Sequence, residues 1–162
     1  MATFLSADRG EHLNFTSGTI LVLTPASVFR TPSNFGPFAL YLLNQNGDIL
    51  LQISFSTRCI ACRDRGNSAL GWGEEQTVDM KGRSVYGDRV SVHHYLTDTK
   101  FGRYHIALNG ITVCHFDKRF PGPAIQISYK RGSILDPPCW GVDVVRVDDL
   151  LPDERLALLP GR

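Results

Sequence analysis

Between Asp48 and Thr77 the chain reads DILLQISFSTRCIACRDRGNSALGWGEEQT, and its end, Gly71-Trp72-Gly73-Glu74-Glu75-Gln76, carries the residues best suited to chemistry. An indole and a carboxylate three residues apart supply what a pyranose needs from a protein. One is a flat apolar surface for the C–H face of the ring. The other is a fixed polar group for hydroxyls leaving water, each of which costs about 1–3 kcal/mol when buried unpaired. Trp72 offers the first and Glu75 the second, with Gly71 and Gly73 expected to give the backbone freedom to present the indole where a loop meets a strand. The competing role for Trp72 is packing, because large aromatic side chains mostly fill cores.

Three other groupings lead less far. Cys59-x-x-Cys62 has zinc-ligand spacing, yet Cys114 and Cys139 supply no second pair, and on a strand a three-residue separation aims the two thiols at opposite faces. His93-His94 diverge in the same way and read as one core and one surface imidazole. Glu74-Glu75 suggests the carboxylate pair of a glycosidase, whose members stand about 5–9.5 Å apart, but adjacent strand residues face opposite sides and cannot flank one bond. There is no Gly-rich phosphate loop, G-x-S-x-G or H-E-x-x-H. We expect no catalysis, no cofactor and no metal.

The elements that must position these residues read as strands. From Gly18 to Asp148, runs of five to eight residues rich in Val, Ile, Leu, Phe and Tyr alternate with Asn, Gly, Pro and Asp clusters, the pattern of an all-β sandwich or barrel. The clearest are Gly18–Thr24, Phe38–Asn44, Ile49–Ser56, Arg89–Thr97, Arg103–Leu108, Ile111–Asp117, Ala124–Tyr129 and Val142–Asp148. Asn46-Gly47 and Asn109-Gly110 mark turns, the second suiting a two-residue type I′ hairpin, so consecutive strands pair antiparallel. Alternation predicts Ile49, Leu51, Ile53 and Phe55 on a core face and Leu50, Gln52, Ser54 and Ser56 on the other; it places Val90, Val92, His94 and Leu96 together, opposite Ser91, His93 and Tyr95. Pro152-Asp153-Glu154 followed by Leu156, Leu158 and Leu159 predicts a short C-terminal helix that covers a sheet edge.

At 162 residues the chain suits one domain, 1–162, with an extension over 150–162. Its 17 Lys+Arg against 16 Asp+Glu form no basic stripe of the kind that neutralises phosphates, which argues against a nucleic-acid partner. Nowhere do eighteen apolar residues stand together, so membrane insertion is not expected. MATFLSADRGEHL lacks a basic segment followed by an apolar run; we expect synthesis in the cytosol, reduced thiols, and export, where it occurs, by a leader-independent route to the extracellular space or cell wall.

FALYLLNQNGDILLQISF and RYHIALNGITVCHFDKR, together with the Trp72 segment, resemble galectins, the fungal members most of all, over roughly Gly18 to Asp148. The resemblance implies a galectin-like, concanavalin-type jelly-roll β-sandwich of two antiparallel sheets and a lectin function. In the family one strand carries His, Asn and Arg at alternate positions, the next carries Asn, and a W-G-x-E-x-R-like segment follows. Trp72 and Glu75 match. Gln52 stands for the His, Ser54 for the Asn, Ser56 for the Arg and Thr77 for the final Arg; the second Asn falls on Arg63 or, without a gap, on Arg65.

Gln52 still donates and accepts, whereas Ser54 and Ser56 are short. The implied partner is a glycan, with a β-galactoside, an N-acetylated sugar and a chitooligosaccharide all left open, and lactose is expected to bind weakly or not at all. Arg58, Arg63 or Arg65 would offer fork-shaped donors to an acidic or N-acetylated sugar, and some fungal relatives take chitooligosaccharides. The same substitutions fit an interaction or structural module that has lost sugar binding; a sandwich-fold hydrolase is a further alternative. The resemblance also implies a homo-oligomer built on open sheet edges.

Overall fold

The computed structural model describes residues 2–6, 9–15, 18–23, 38–55, 59–68, 70–79, 89–96, 99–108, 110–130 and 141–146. Its strands are β1 (Ala2–Ser6), β2 (Arg9–Phe15), β3 (Gly18–Leu23), β4 (Phe38–Leu43), β5 (Ile49–Phe55), β6 (Cys59–Arg65), β7 (Gln76–Asp79), β8 (Arg89–Tyr95), β9 (Arg103–Leu108), β10 (Ile111–Asp117), β11 (Ala124–Lys130) and β12 (Gly141–Arg146). One sheet runs β1-β12-β3-β8-β9-β10 and the other β2-β11-β4-β5-β6-β7, with every neighbouring pair antiparallel. The two-sheet antiparallel architecture is the one the sequence predicts.

Apolar residues of both sheets meet in a single core. Leu40, Leu42, Leu51, Ile53, Phe55, Ile60, Cys62, Ile127 and Tyr129 come from the second sheet, and Val90, Val92, Tyr104, Ile106, Leu108 and Phe116 from the first. The eight strands read from pattern all form, with ends shifted by a residue or two; β1, β2, β6 and β7 are additional. β2 and β7 were hard to read because their apolar content is low: Gly10, Glu11 and His12 are exposed, as are Gln76, Thr77 and Asp79. Backbone pairing to β11 and β6 holds them as strands.

Two face assignments need correction. Leu50, expected outward, joins the core at 0% exposure as the extra residue of a register slip, since Leu43 pairs with Ile49 and Leu42 with Leu51; Gln52 keeps its expected face and is only 4% exposed because Tyr41 and Arg63 engage it. Leu96 does not join Val90, Val92 and His94 inside; β8 ends at Tyr95 and Leu96 is 81% exposed. Buried His94 and half-exposed His93 match the expected split. The expected Asn46-Gly47 turn forms as a three-residue loop: Gly47 N–H donates to Asn44 O, Asn44 N–H donates to Asp48 O, and Gly47 takes φ of +80°. At the β9–β10 hairpin Leu108 pairs with Ile111, which leaves the two-residue connection expected for Asn109-Gly110. The anticipated C-terminal helix lies outside the described residues.

Candidate functional site

The outward face of the second sheet is a grid set by register. One row across the strands runs Gly10, Ser128, Tyr41, Gln52, Arg63; the next runs Lys130, Ala39, Ser54, Ala61, Thr77. In the first row the polar groups are chained. Arg63 Nε donates to Gln52 Oε1 at 2.5 Å, and Gln52 Nε2 donates to Tyr41 Oη at 2.9 Å. Both ends of the Gln52 amide are thereby engaged, which is how a glutamine tolerates near-complete burial. The second row has a floor of small side chains, Ala39, Ser54 and Ala61, ending at Thr77, whose hydroxyl donates to Glu75 Oε1 at 3.2 Å.

Trp72 stands beside this grid. It is half-buried and outside the core cluster, so packing of the sandwich is not its role. The Arg63 guanidinium lies 4.0 Å from the ring centroid and that of Arg65 5.8 Å away. Arg63 and Arg65 are two residues apart on one strand and share a face, and both lie near the indole. Gln52, Ser54, Arg63, Arg65, Trp72, Glu75 and Thr77 thus share one region, while Ser56 and Arg58 lie outside the described residues. Glu74 and Glu75 are both exposed and precede β7 in the loop.

What holds the indole there was not visible in its own segment. Asp64, on the inward side of β6 and 1% exposed, accepts from Arg119 Nε at 2.9 Å and Nη2 at 2.5 Å. Its carbonyl also accepts from Gly73 N–H at 2.7 Å. A side chain on Gly73 would run into Asp64 Oδ1 and the Arg119 guanidinium, whereas one on Gly71 would meet nothing within 4 Å. Neither glycine is among those with positive φ. The conformational freedom expected of them is therefore not why they matter; Gly73 is needed for close approach, and Gly71 is not needed on that ground.

The start of the same loop is fixed by Asn67, which donates from its backbone to Asp48 Oδ1 at 2.8 Å and from Nδ2 to Asn46 O at 2.8 Å. Buried Asn44 completes this brace: its Oδ1 accepts from Asn46 and Asp48 N–H, and its Nδ2 donates to Asp48 and to Pro121 O. Asp64, Arg119, Asn44 and Asn67 are the positioning residues that sequence reading missed. The one available signal was an acid at an inward parity of β6, which demanded a buried partner. Among the described residues no group of three or more His, Cys, Asp or Glu side chains is arranged to hold a metal ion.

Searches of family models and of curated proteins by sequence give no match. Solved structures do match. A galectin of Caenorhabditis elegans, LEC-6, superposes with a TM-score of 0.62 at 16% identity, covering 90% of this chain and 94% of that one. Sheep galectin-11, solved in complex with glycerol, gives 0.56 at 15% identity over 87% and 99%. A tetrameric galectin from the ball sponge Cinachyrella gives 0.54 at 17% identity over 90% and 99%. At these identities the likeness establishes a galectin-like jelly-roll sandwich and leaves the site to be argued from its own residues.

Proposed function

We propose that the chain is a non-catalytic glycan-binding module whose ligand carries an acidic substituent, bound on the outward face of the second sheet beside Trp72. The galectin-like fold supports a lectin-type role, and one observation carries the charge preference: two guanidinium groups, those of Arg63 and Arg65, accompany the indole. A neutral sugar stacking on Trp72 displaces Arg63 from it, forfeiting about 0.5–2 kcal/mol of cation–π attraction, a factor of roughly 2–30 in affinity. A carboxylate or sulfate on the sugar offsets that loss by a charge-assisted, fork-shaped hydrogen bond. N-acetylated sugars and chitooligosaccharides gain less and β-galactosides least, since Ser54 with Ala39 and Ala61 offers few fixed donors on the floor. Assembly into a homo-oligomer through sheet edges belongs to the same reading, because paired sites would raise avidity for a glycan-coated surface.

A glycan array probed with the purified full chain tests this. Sialylated or sulfated probes are expected to bind, and lactose weakly or not at all; tight binding of neutral lactose overturns the charge preference. A second reading has its own observation. Arg63 covers the ring that a sugar needs and Gln52 is fully engaged, as in an interaction module without sugar binding. A blank array with both the native chain and Arg63→Ala, in which the ring is uncovered, favours that reading.

A further inference from the structure

The two sheets bring together a pair of thiols that the glycan reading does not use. Cys62, on β6 of the second sheet, faces Cys114, on β10 of the first, with 3.6 Å between the sulfur atoms. A β-bulge creates this encounter. Thr112 pairs with Ala107 and Cys114 with Ile106, so Val113 is the extra residue. Ala107 and Ile106 are adjacent and point to opposite sides of β9, so the bulge turns Cys114 inward to the side of Ile106, Tyr104 and Phe116. Without it, Cys114 would share the outward side with Thr112.

We infer that Cys114 and Cys62 form a peroxide-reactive dithiol, a modification site that closes into a disulfide between the two sheets. The two sulfurs differ in access. Cys114 is partly exposed and reachable by a small hydroperoxide, while Cys62 is fully buried. Their proton affinities run the same way. A hydrogen bond from the Cys62 thiol, the largest influence, lowers the pKa of Cys114; Cys62 is raised by that same bond, by burial and by the nearby charge of Glu75. Of the two, Cys114 therefore gives up its proton more readily, and as the thiolate is the nucleophile, Cys114 is the attacking sulfur.

In the first step Cys114 Sγ attacks the peroxide O–O bond. An S–O bond forms, the O–O bond breaks, and the departing oxygen takes a proton and leaves as water or an alcohol, giving a sulfenic acid. In the second, Cys62 Sγ attacks the Cys114 sulfur. The S–S bond forms, the S–O bond breaks, and hydroxide leaves with the Cys62 proton as water. The dithiol is oxidised by two electrons and the peroxide is reduced. Closure to an S–S bond of about 2.05 Å requires the sulfurs to approach by about 1.5 Å, and Cys59 is no competitor because it faces the opposite side of β6. The inference stands whether or not the neighbouring face binds a glycan.

The test treats the folded, reduced chain with a small excess of hydrogen peroxide and maps the products by mass spectrometry, using Cys59→Ser so that the peptide holding Cys62 has one cysteine. Loss of two hydrogens, a single Cys62–Cys114 cross-link and a raised thermal midpoint that dithiothreitol reverses are expected. Cys62→Ser should leave a sulfenic acid on Cys114 that dimedone traps, and Cys114→Ser should leave Cys62 unmodified and the midpoint unmoved by peroxide. If Cys62→Ser does not fold, the Cys114→Ser result decides. Over-oxidation of Cys114 with Cys62 still a free thiol, or a cross-link to Cys139 instead, overturns the inference.

Discussion

On the outward side of the first sheet, His93, His105 and His115 stand side by side on β8, β9 and β10, and their surroundings are satisfied from within. Tyr95 Oη meets His115 Nδ1 at 3.1 Å, His105 Nε2 meets Thr112 Oγ1 at 2.8 Å, Arg103 pairs with Asp117, and the His105 and His115 rings stack with centroids 4.8 Å apart. On the outward side of the second sheet, the cross-strand row ends in a guanidinium lying on an indole, next to a row of alanine and serine. A face that pairs its polar groups across strands is complete as a solvated surface. A face that stacks a cation on an aromatic ring beside small side chains has an exchangeable contact, and that difference is why we propose the second sheet as the binding face.

The sharpest contrast is between the ion pair that anchors the Trp72 loop from the inward side of β6 and the one exposed on the first sheet. Arg119→Ala leaves the buried Asp64 carboxylate without its cation and should cost about 2–3 kcal/mol in denaturant unfolding, with a change in Trp72 emission as the loop loosens. Arg103→Ala removes the exposed pair with Asp117 on the first sheet and should barely move the same midpoint. Equal effects would mean that the Asp64 anchor is not what distinguishes the loop. Next in size, Trp72→Ala should abolish glycan binding with little change in thermal stability, since the indole lies outside the core. A large fall in the midpoint with binding retained would return Trp72 to a packing role.

The sandwich was legible because its central strands bury alternating or continuous apolar runs, as in β5, β8 and β9. The loop carrying Trp72 was legible as a segment but not as a geometry. Arg119, 55 residues from Asp64 in sequence, gives no local sign of its partner, and Gly73 reads as flexibility when its role is to make room. Gln52 looked like a surface polar residue because periodicity cannot see Tyr41 and Arg63 closing over it. Cys62 and Cys114 could not be paired from sequence, since a single bulge residue decides which way Cys114 points.

A smaller change would sharpen the assignment of ligand class. Gln52→His, Ser54→Asn and Ser56→Arg together restore the galactose-gripping residue types and should shift preference toward β-galactosides by about tenfold, of the order of one good hydrogen bond; no shift on the array would mean that Arg63 alone governs the ring. The smallest expected effect lies on the other face. Burial, then His115 and His93, hold His105 below the ordinary histidine pKa. The folded state therefore binds fewer protons there than the unfolded chain, so this contribution to stability is full above about pH 6.5 and declines as pH falls below it. His105→Gln should flatten that acid-side decline in the thermal midpoint, and a profile identical to the native chain would contradict it.

The most direct test of the central claim is a titration of Trp72 fluorescence in a Trp140→Phe background, comparing sialyllactose with lactose at low and high salt. A saturable change with sialyllactose that weakens with salt and is lost in Arg63→Ala/Arg65→Ala, against little response to lactose, is the predicted result. Equal, salt-independent responses to the two sugars, or a response that survives loss of both arginines, would contradict it.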